Sequence, residues 1–366
     1  MKEIKVGIIG LGGMANMHME GIARLEGIRI TALCDSLGEA VNRTGDKLGI
    51  PLDRRFAHYA DLITCAEVDA VLSITPNDAH YEIVKCCLLH SKPIMTEKPF
   101  TRTFEEAHEL HQLYVENPIP SMVGFSYRYV PSFRYARDLI KQGKIGQIRH
   151  VFVQYLQSWG VPVYDTPMNW RYRSEITGTG ALADLGSHMV DAARYMIGEF
   201  DEVMAQLKTF IPSRRDPVTG EMGTVDVDDF TGFLATLDSQ VTGVFQTSRN
   251  AYGSGNQLEL QIYGELGTIS IGCERGSELT WIHPNEENAA SIVTEVQRVP
   301  AEYELAQLED FFDGVRGNGR EGLPTIEDGF ANQEVLEAIY QAAISKQAIS
   351  LARFRSHEQA AAEGDR

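Results

Sequence analysis

The chain has 366 residues, 43% hydrophobic and 23% charged, with a formal net charge of −18. That length calls for about two domains, each with a core of its own, and the acidic balance argues against nucleic acid or an anionic membrane surface as a partner. No apolar run approaches the roughly 18–20 residues of a membrane span, and the five cysteines, odd in number and without a C-x-x-C pair, argue against a disulfide framework or structural zinc and read mostly as buried thiols.

The first element is Ile4–Ile9, a continuous apolar run suited to a strand buried on both faces. It is too short for a signal peptide and runs straight into a glycine turn, so the expected location is the cytoplasm. The patterns then predict a helix over 14–25, a strand over 28–34, a helix over 37–48, a short segment over 60–64 and a strand over 70–74. A helix over 80–90, a strand over 93–96, a helix over 104–115 and a short strand over 121–124 follow. Alternating strands and helices predict a doubly wound parallel sheet, an α/β Rossmann domain over 1–124.

Beyond 124 the rhythm changes. A helix is expected over 132–141, then strands over 148–157, 203–210, 230–237, 241–247, 257–263 and 268–271, several joined by tight turns. Helices over 181–196 and 326–343 accompany them. This predicts an α+β domain over 125–366 with an antiparallel meander. The small, polar stretch 357–366 reads as a mobile tail.

Gly10-Leu11-Gly12-Gly13-Met14-Ala15 matches G-x-G-x-x-[G/A] and lies between a predicted strand and helix. The first glycine makes the turn, the second admits a pyrophosphate to the backbone, and Ala15 lets the helix pack close. The helix N-terminus adds partial positive charge toward the phosphates. Asp35 ends the second predicted strand, where a carboxylate can accept from the adenosine ribose hydroxyls and repel a 2′-phosphate. Ser36 and its neighbours supply no Arg or Lys for that phosphate, so NAD is preferred over NADP. Asp35 as a plain helix cap is the competing reading.

Two further segments end strands on the same sheet edge: Thr75-Pro76-Asn77 with His80, and Glu97-Lys98-Pro99. Carboxyl ends of strands line the ligand crevice of such sheets, so Thr75, Pro76, Asn77, His80, Glu97 and Lys98 join Gly10, Gly12, Gly13, Met14, Asp35 and Ser36 as candidate cofactor contacts.

With Glu97-Lys98-Pro99 the sequence resembles the glucose–fructose oxidoreductase/inositol dehydrogenase (Gfo/Idh/MocA) family. The resemblance spans almost the whole chain. It rests on the glycine turn, Thr75-Pro76-Asn77, Glu97-Lys98-Pro99, the segment Gly124 to Pro131, and the segment Gly178 to Asp191. It implies a second domain with a large open-faced sheet, which commonly mediates homodimers or homotetramers. It also implies that Lys98 points into the active site, with a possible cis bond to Pro99, and that Asp184 and His188 match the family's D-x-x-x-H pair.

Oxidising an alcohol requires a hydride acceptor, a base for the hydroxyl proton and a partner for the developing oxyanion. In a helix over 181–196, Asp184 and His188 would share one face. His188 is the expected base, with Asp184 orienting it or holding a substrate hydroxyl, and Lys98 stabilises the oxygen or relays the proton. Arg128 reads equally as a substrate ligand or as the partner of a buried acid, and Asp191 as structural support. Trp170 is a candidate wall for a sugar ring. Trp159 and Tyr155 read more as core, and Asn169, Arg249 and Asn256 are weaker polar candidates. No metal is expected. The expected function is NAD-dependent oxidation of a ring hydroxyl of a sugar, glycoside or inositol-like polyol. An NAD-retaining glycosidase and a nucleotide-sensing regulator are the alternatives.

Overall fold

A computed structural model describes residues 3–288 and 291–352; the expected mobile tail over 357–366 lies outside the described residues. The chain divides into two units. One runs to Phe125 and includes Ala306–Gln333; the other is Ser126–Leu305 with the chain from Glu334 onward.

In the first unit the apolar runs become strands β1 (Ile4–Ile9), β2 (Ile28–Cys34), β3 (Arg55–Phe56), β4 (Ala70–Ser73), β5 (Ile94–Thr96) and β6 (Ser121–Val123). They pair in the order β3-β2-β1-β4-β5-β6, all parallel. This is the strand order of dinucleotide-binding sheets, with its switch point at β1 and β4. Helices α1 (Ala15–Ile22), α2 (Gly38–Leu48), α3 (Tyr59–Thr64), α4 (His80–Leu89) and α5 (Phe104–Glu116) make the crossovers. The start of α5 shows how locally the sequence decides: Thr103 Oγ1 accepts from Glu106 N–H while the Glu106 carboxylate accepts from Thr103 N–H, a complete capping box. Val71, Ile83, Val84, Ile94, Leu110 and Val123 form the core between the layers.

A boundary at 124 puts everything beyond it in a second domain, yet 306–333 packs with the first unit. Ile326 and Phe330 join its core, Phe330 stacks on Phe104 and His111 at ring distances of 5.7 and 4.3 Å, and Pro324 carbonyl accepts from Val123 N–H at 2.7 Å. The last strand and helix of the Rossmann half leave an apolar surface, and this returning segment buries it.

The second unit is built on nine strands: β7 (Ile148–Gln157), β8 (Phe200–Lys208), β11 (Phe230–Leu237), β12 (Val241–Ser248), β13 (Asn256–Gly264), β14 (Thr268–Gly272), β15 (Glu278–Pro284), β16 (Ile292–Arg298) and β17 (Ile349–Ser350), with β9 (Ser213–Arg215) and β10 (Met222–Thr224) as a separate hairpin. The large sheet runs β16-β15-β14-β13-β7-β12-β11-β8-β17. It is antiparallel except at its middle, where β7 and β12 pair in parallel, Thr242 opposite His150. The expected antiparallel sheet is present, and it departs from a simple meander at this parallel pair. A parallel neighbour needs a crossover, and the chain between β7 and β12 supplies one through helices α7 (Ser174–Thr177) and α8 (Ser187–Met196) and strands β8 and β11.

Alternation then sorts the two faces. Val151, Val153, Phe233, Ala235, Phe245, Leu258 and Leu260 are buried under α8 and α6 (Pro131–Lys141), together with Leu336 and Ile339. On the other face Phe152, Met204 and Leu234 stay 45%, 53% and 52% exposed, so the sheet has one covered and one open face. No described helix is long and apolar enough to cross a membrane.

The helix expected over 181–196 forms with a correction: Leu182–Gly186 winds as a π-helix before α8 begins. Asp184 and His188 therefore do not stand in a plain α-helical i,i+4 relation. π turns of this kind concentrate at functional sites.

Candidate active site

In the first unit, four loops leave the carboxyl ends of β1, β2, β4 and β5, and every predicted cofactor residue lies on one of them except His80, which opens α4. Gly10 has φ +88°, and a Cβ there would lie 2.3 Å from Ile74 carbonyl oxygen; only glycine fits. Gly12 and Gly13 differ, since a Cβ at either would meet nothing within 4 Å. The chain's own packing does not require glycine there, and both positions are exposed. Their bareness leaves room for something outside the chain to approach the backbone. Helix α1 begins next to them with no side-chain cap and no acidic residue in its first turn. Ala15 N–H donates to Gly12 carbonyl at 3.1 Å and Met17 N–H to Met14 carbonyl at 3.2 Å, and the helix N-terminus as a whole suits a phosphate.

Asp35 braces this turn. Its Oδ2 accepts from Leu11 N–H at 2.7 Å and its Oδ1 from Leu37 N–H at 2.8 Å. The cap reading and the ligand reading thus coexist, because each carboxylate oxygen keeps a further lone pair. The residue is half-buried, and Ser36 is exposed. The residues present fit a dinucleotide with an unphosphorylated ribose.

The second pair of loops is tied together by His80, which is fully buried. Its Nδ1 lies 2.8 Å from Pro99 carbonyl oxygen and its Nε2 lies 3.1 Å from Thr75 carbonyl oxygen. Burial holds its pKa below the ordinary histidine value, although both carbonyls work the other way. His80 is corrected from cofactor ligand to strut: it offers no surface, and its ring stands between the Thr75 and Pro99 carbonyls, the neutral imidazole donating to one of them, next to the Lys98–Pro99 peptide bond, which is cis.

Glu97 Oε1 lies 3.0 Å from Nε2 of the buried His18 on α1. Burial works to raise the Glu97 pKa, but the His18 hydrogen bond and charge, with Lys98 beside it, outweigh this and hold it below the ordinary value. Glu97 also packs on Gly124, where a Cβ would lie 2.9 Å from its carboxylate. His18 is a residue that sequence reasoning missed. It sits three positions after Ala15, on the helix that begins at the glycine turn, and only the fold links it to Glu97.

The second unit carries Asp184, His188 and the remaining candidates. Asp184 Oδ2 is met by Nη2 of Arg249 at 3.2 Å. His188 is buried on α8, with the Tyr127 ring edge-on at 4.7 Å and 87°. Tyr127 and Tyr155 share a hydroxyl–hydroxyl bond of 2.5 Å; Asn256 donates to Tyr127 at 2.8 Å and accepts from Tyr155 at 2.7 Å. Burial raises the pKa of both tyrosines, so both hydroxyls stay neutral. Trp159 donates to Gln157 Oε1 at 2.6 Å, and Gln157 in turn donates to Asn256 at 2.7 Å. Tyr155 thus lies in the core and also belongs to a polar network beneath the imidazole.

Arg128 is corrected. Its Nε lies 2.9 Å from Asp191 Oδ2 and its Nη2 2.6 Å from Oδ1, with both side chains buried. The guanidinium is engaged in a forked ion pair inside the unit, and no substrate role is assigned to it. Trp170 is half-buried under the Arg171 guanidinium at 4.2 Å. Asn169 caps that turn by accepting from Arg171 N–H at 2.9 Å.

A six-stranded 3-2-1-4-5-6 sheet with a bare glycine turn and a strand-end carboxylate defines a dinucleotide-binding oxidoreductase domain. Comparison with known proteins makes this specific. Residues 4–125 match the family model described as "Oxidoreductase family, NAD-binding Rossmann fold", and residues 133–270 match the "GFO/IDH/MocA C-terminal domain". Levoglucosan dehydrogenase of Pseudarthrobacter phenanthrenivorans is 28% identical over 94% of this chain and 97% of that protein. Inositol 2-dehydrogenase 1 of Mycolicibacterium vanbaalenii is 27% identical over 96% of this chain and 97% of that protein. A solved levoglucosan dehydrogenase in complex with NADH and L-sorbose superposes with a TM-score of 0.88 at 27% identity, covering 96% of this chain and 99% of that one. The chain belongs to the Gfo/Idh/MocA family of NAD-binding oxidoreductases.

Proposed function

We propose that this enzyme oxidises a secondary ring hydroxyl of a sugar, glycoside or inositol-like polyol to the ketone with NAD. The observation that carries the reading is the bare glycine turn braced by Asp35, which suits NAD. Relatives named for levoglucosan and inositol point to ring alcohols.

Backbone amides of Gly12, Gly13 and Met14 would hold the pyrophosphate, and Asp35 the adenosine ribose. Thr75, Pro76, Asn77 and Glu97 line the rest of that sheet edge. NAD held there would supply the hydride acceptor for the carbinol carbon. An imidazole nitrogen of His188 takes the hydroxyl proton, and the Lys98 ammonium stabilises the negative charge that develops on that oxygen. Asp184 holds a neighbouring substrate hydroxyl or orients the base, and Trp170 offers a face for the ring's C–H groups. The open sheet face carrying Phe152, Met204 and Leu234 is the surface on which a second copy packs, giving a dimer or tetramer. The working compartment is the cytoplasm.

The test is a panel of levoglucosan, inositols, aldoses and glycosides with NAD and with NADP, followed at 340 nm. Net NADH formation with a ring polyol or sugar supports the reading. Glycoside hydrolysis without net NADH, or no turnover with intact NADH binding, contradicts it.

A further inference from the structure

We propose that Arg249 is a positioning residue for the Asp184 carboxylate, acting with Asp228 to set the π turn that leads to His188. This rests on the reading of Asp184 and His188 as active-site groups.

Arg249 is 0% exposed. Burying a guanidinium is costly unless its donors are met; here Nε has no hydrogen-bond partner, and the two terminal nitrogens make all the side chain's bonds. Nη1 donates to Arg171 carbonyl at 3.0 Å, and Nη2 donates both to Gly180 carbonyl at 2.9 Å and to Asp184 Oδ2 at 3.2 Å. The main chain of Arg249 is fixed as well: its N–H donates to Asp229 carbonyl at 3.0 Å and its carbonyl accepts from Gly160 N–H at 2.9 Å. The Trp159 ring lies 5.1 Å from the guanidinium. A cation held this firmly dictates the position of whatever it touches.

It touches the start of the π turn twice. Gly180 carbonyl accepts from Arg249 and also from Asp184 N–H at 3.0 Å, so the guanidinium holds both the backbone anchor of Asp184 and its side chain. From the other side, Asp228 Oδ1 accepts from Gly180 N–H at 2.6 Å, and its Oδ2 accepts from Leu182 N–H at 2.9 Å and Thr231 Oγ1 at 2.8 Å. A Cβ at residue 180 would lie 2.0 Å from Asp228 carbonyl oxygen, so only glycine allows this approach. The N–H of residue 180 is therefore held by an anion and its carbonyl by a cation, directly before the turn that presents Asp184. A purely structural anchor would be complete with the carbonyls. The added bond to the half-buried Asp184 carboxylate is what orients a reactive group.

The experiment compares Arg249→Met, Arg249→Lys, Asp184→Asn and the double variant Arg249→Met/Asp184→Asn in the full chain. Readouts are NADH affinity, kcat and KM with whichever of levoglucosan, myo-inositol or D-glucose turns over, and hydrogen exchange of the amides over 180–186. Loss of a charged hydrogen bond predicts that Arg249→Met lowers kcat about 10–100-fold with NADH affinity unchanged and exchange raised over 180–186. Arg249→Lys, which keeps the cation without the fork, falls between and serves if Arg249→Met does not fold. In the Asp184→Asn background the same substitution costs at most about threefold, as coupled residues require. Unchanged kcat in Arg249→Met, an undiminished penalty in the Asp184→Asn background, or unchanged exchange overturns the proposal. If Asp184→Asn itself leaves kcat intact, the reading of Asp184 fails and this inference with it. If no panel substrate turns over, the exchange result still decides whether Arg249 sets the turn.

Discussion

Gly12 and Gly10 are both glycine, but for different reasons, and replacing each with alanine separates folding from binding. At Gly12 an added Cβ meets nothing of the chain within 4 Å, so Gly12→Ala should change folding stability by no more than about 0.5 kcal/mol. In the proposed function the same methyl group would occupy the space through which a pyrophosphate reaches the backbone. Displacing one charge-assisted hydrogen bond costs about 1.5–3 kcal/mol, or roughly 10–100-fold in Kd. Gly10→Ala places its Cβ 2.3 Å from Ile74 carbonyl at φ +88°. Left-handed backbone at a non-glycine residue costs about 1–3 kcal/mol, and the clash adds to it, so this variant should lose stability before any ligand is present. Thermal unfolding without ligand and NADH fluorescence titration give the two numbers. Gly12→Ala should melt like the parent and bind NADH weakly. If Gly12→Ala keeps NADH affinity within twofold, the assignment of this turn to the phosphates is wrong.

Three further outcomes follow from the same geometry. Asp35→Ala should lower kcat/KM for NAD at least about tenfold and narrow the preference over NADP; equal use of both cofactors by the parent would refute the role of Asp35. His80 has its pKa held below the ordinary histidine value by burial, so its neutral form belongs to the folded state. Its contribution to stability is present above the unfolded histidine pKa of about 6.5 and is lost as pH falls toward the folded value. The drop in Tm between pH 7.5 and 5 should be smaller in His80→Asn than in the parent, and an equal drop contradicts the strut role. Leu234→Glu, on the open sheet face, should reduce the mass measured by light scattering; a parent that is already monomeric at micromolar concentration refutes the packing of a second copy there.

Much of the fold was readable because the strands of the first unit carry their own signal, all but the two-residue β3, Arg55–Phe56, which has none. Ile4–Ile9 and Ile28–Cys34 are largely apolar and end in buried residues, and the glycine turn sits between strand and helix. In the second unit Phe230–Leu237 and Ile148–Gln157 announce themselves by alternation. Strands Glu278–Pro284 and Ile292–Arg298 did not, because most of their residues are half-buried or exposed and few are apolar enough to mark a face. The return of 306–333 to the first unit is a long-range packing decision with no local pattern. The site shows the same divide. Gly10 to Ala15, Asp35 and Lys98 lie in motifs, whereas Arg249 with Asp184, and Arg128 with Asp191, are ion pairs between residues 65 and 63 positions apart. Spacing says nothing about such pairs, so Arg249 read as one loop residue among several and Arg128 stayed open between ligand and strut.

In the proposed mechanism Lys98 and His188 carry the charge and the proton of a hydride transfer. Single-turnover formation of NADH in Lys98→Ala, mixed with NAD and the best panel substrate, tests it most directly. A group that stabilises charge or moves a proton in the transition state is worth about 10²–10⁴-fold, so the NADH transient should slow by at least a hundredfold while NADH Kd stays at the parent value. A transient as fast as the parent's would remove Lys98 from the chemistry.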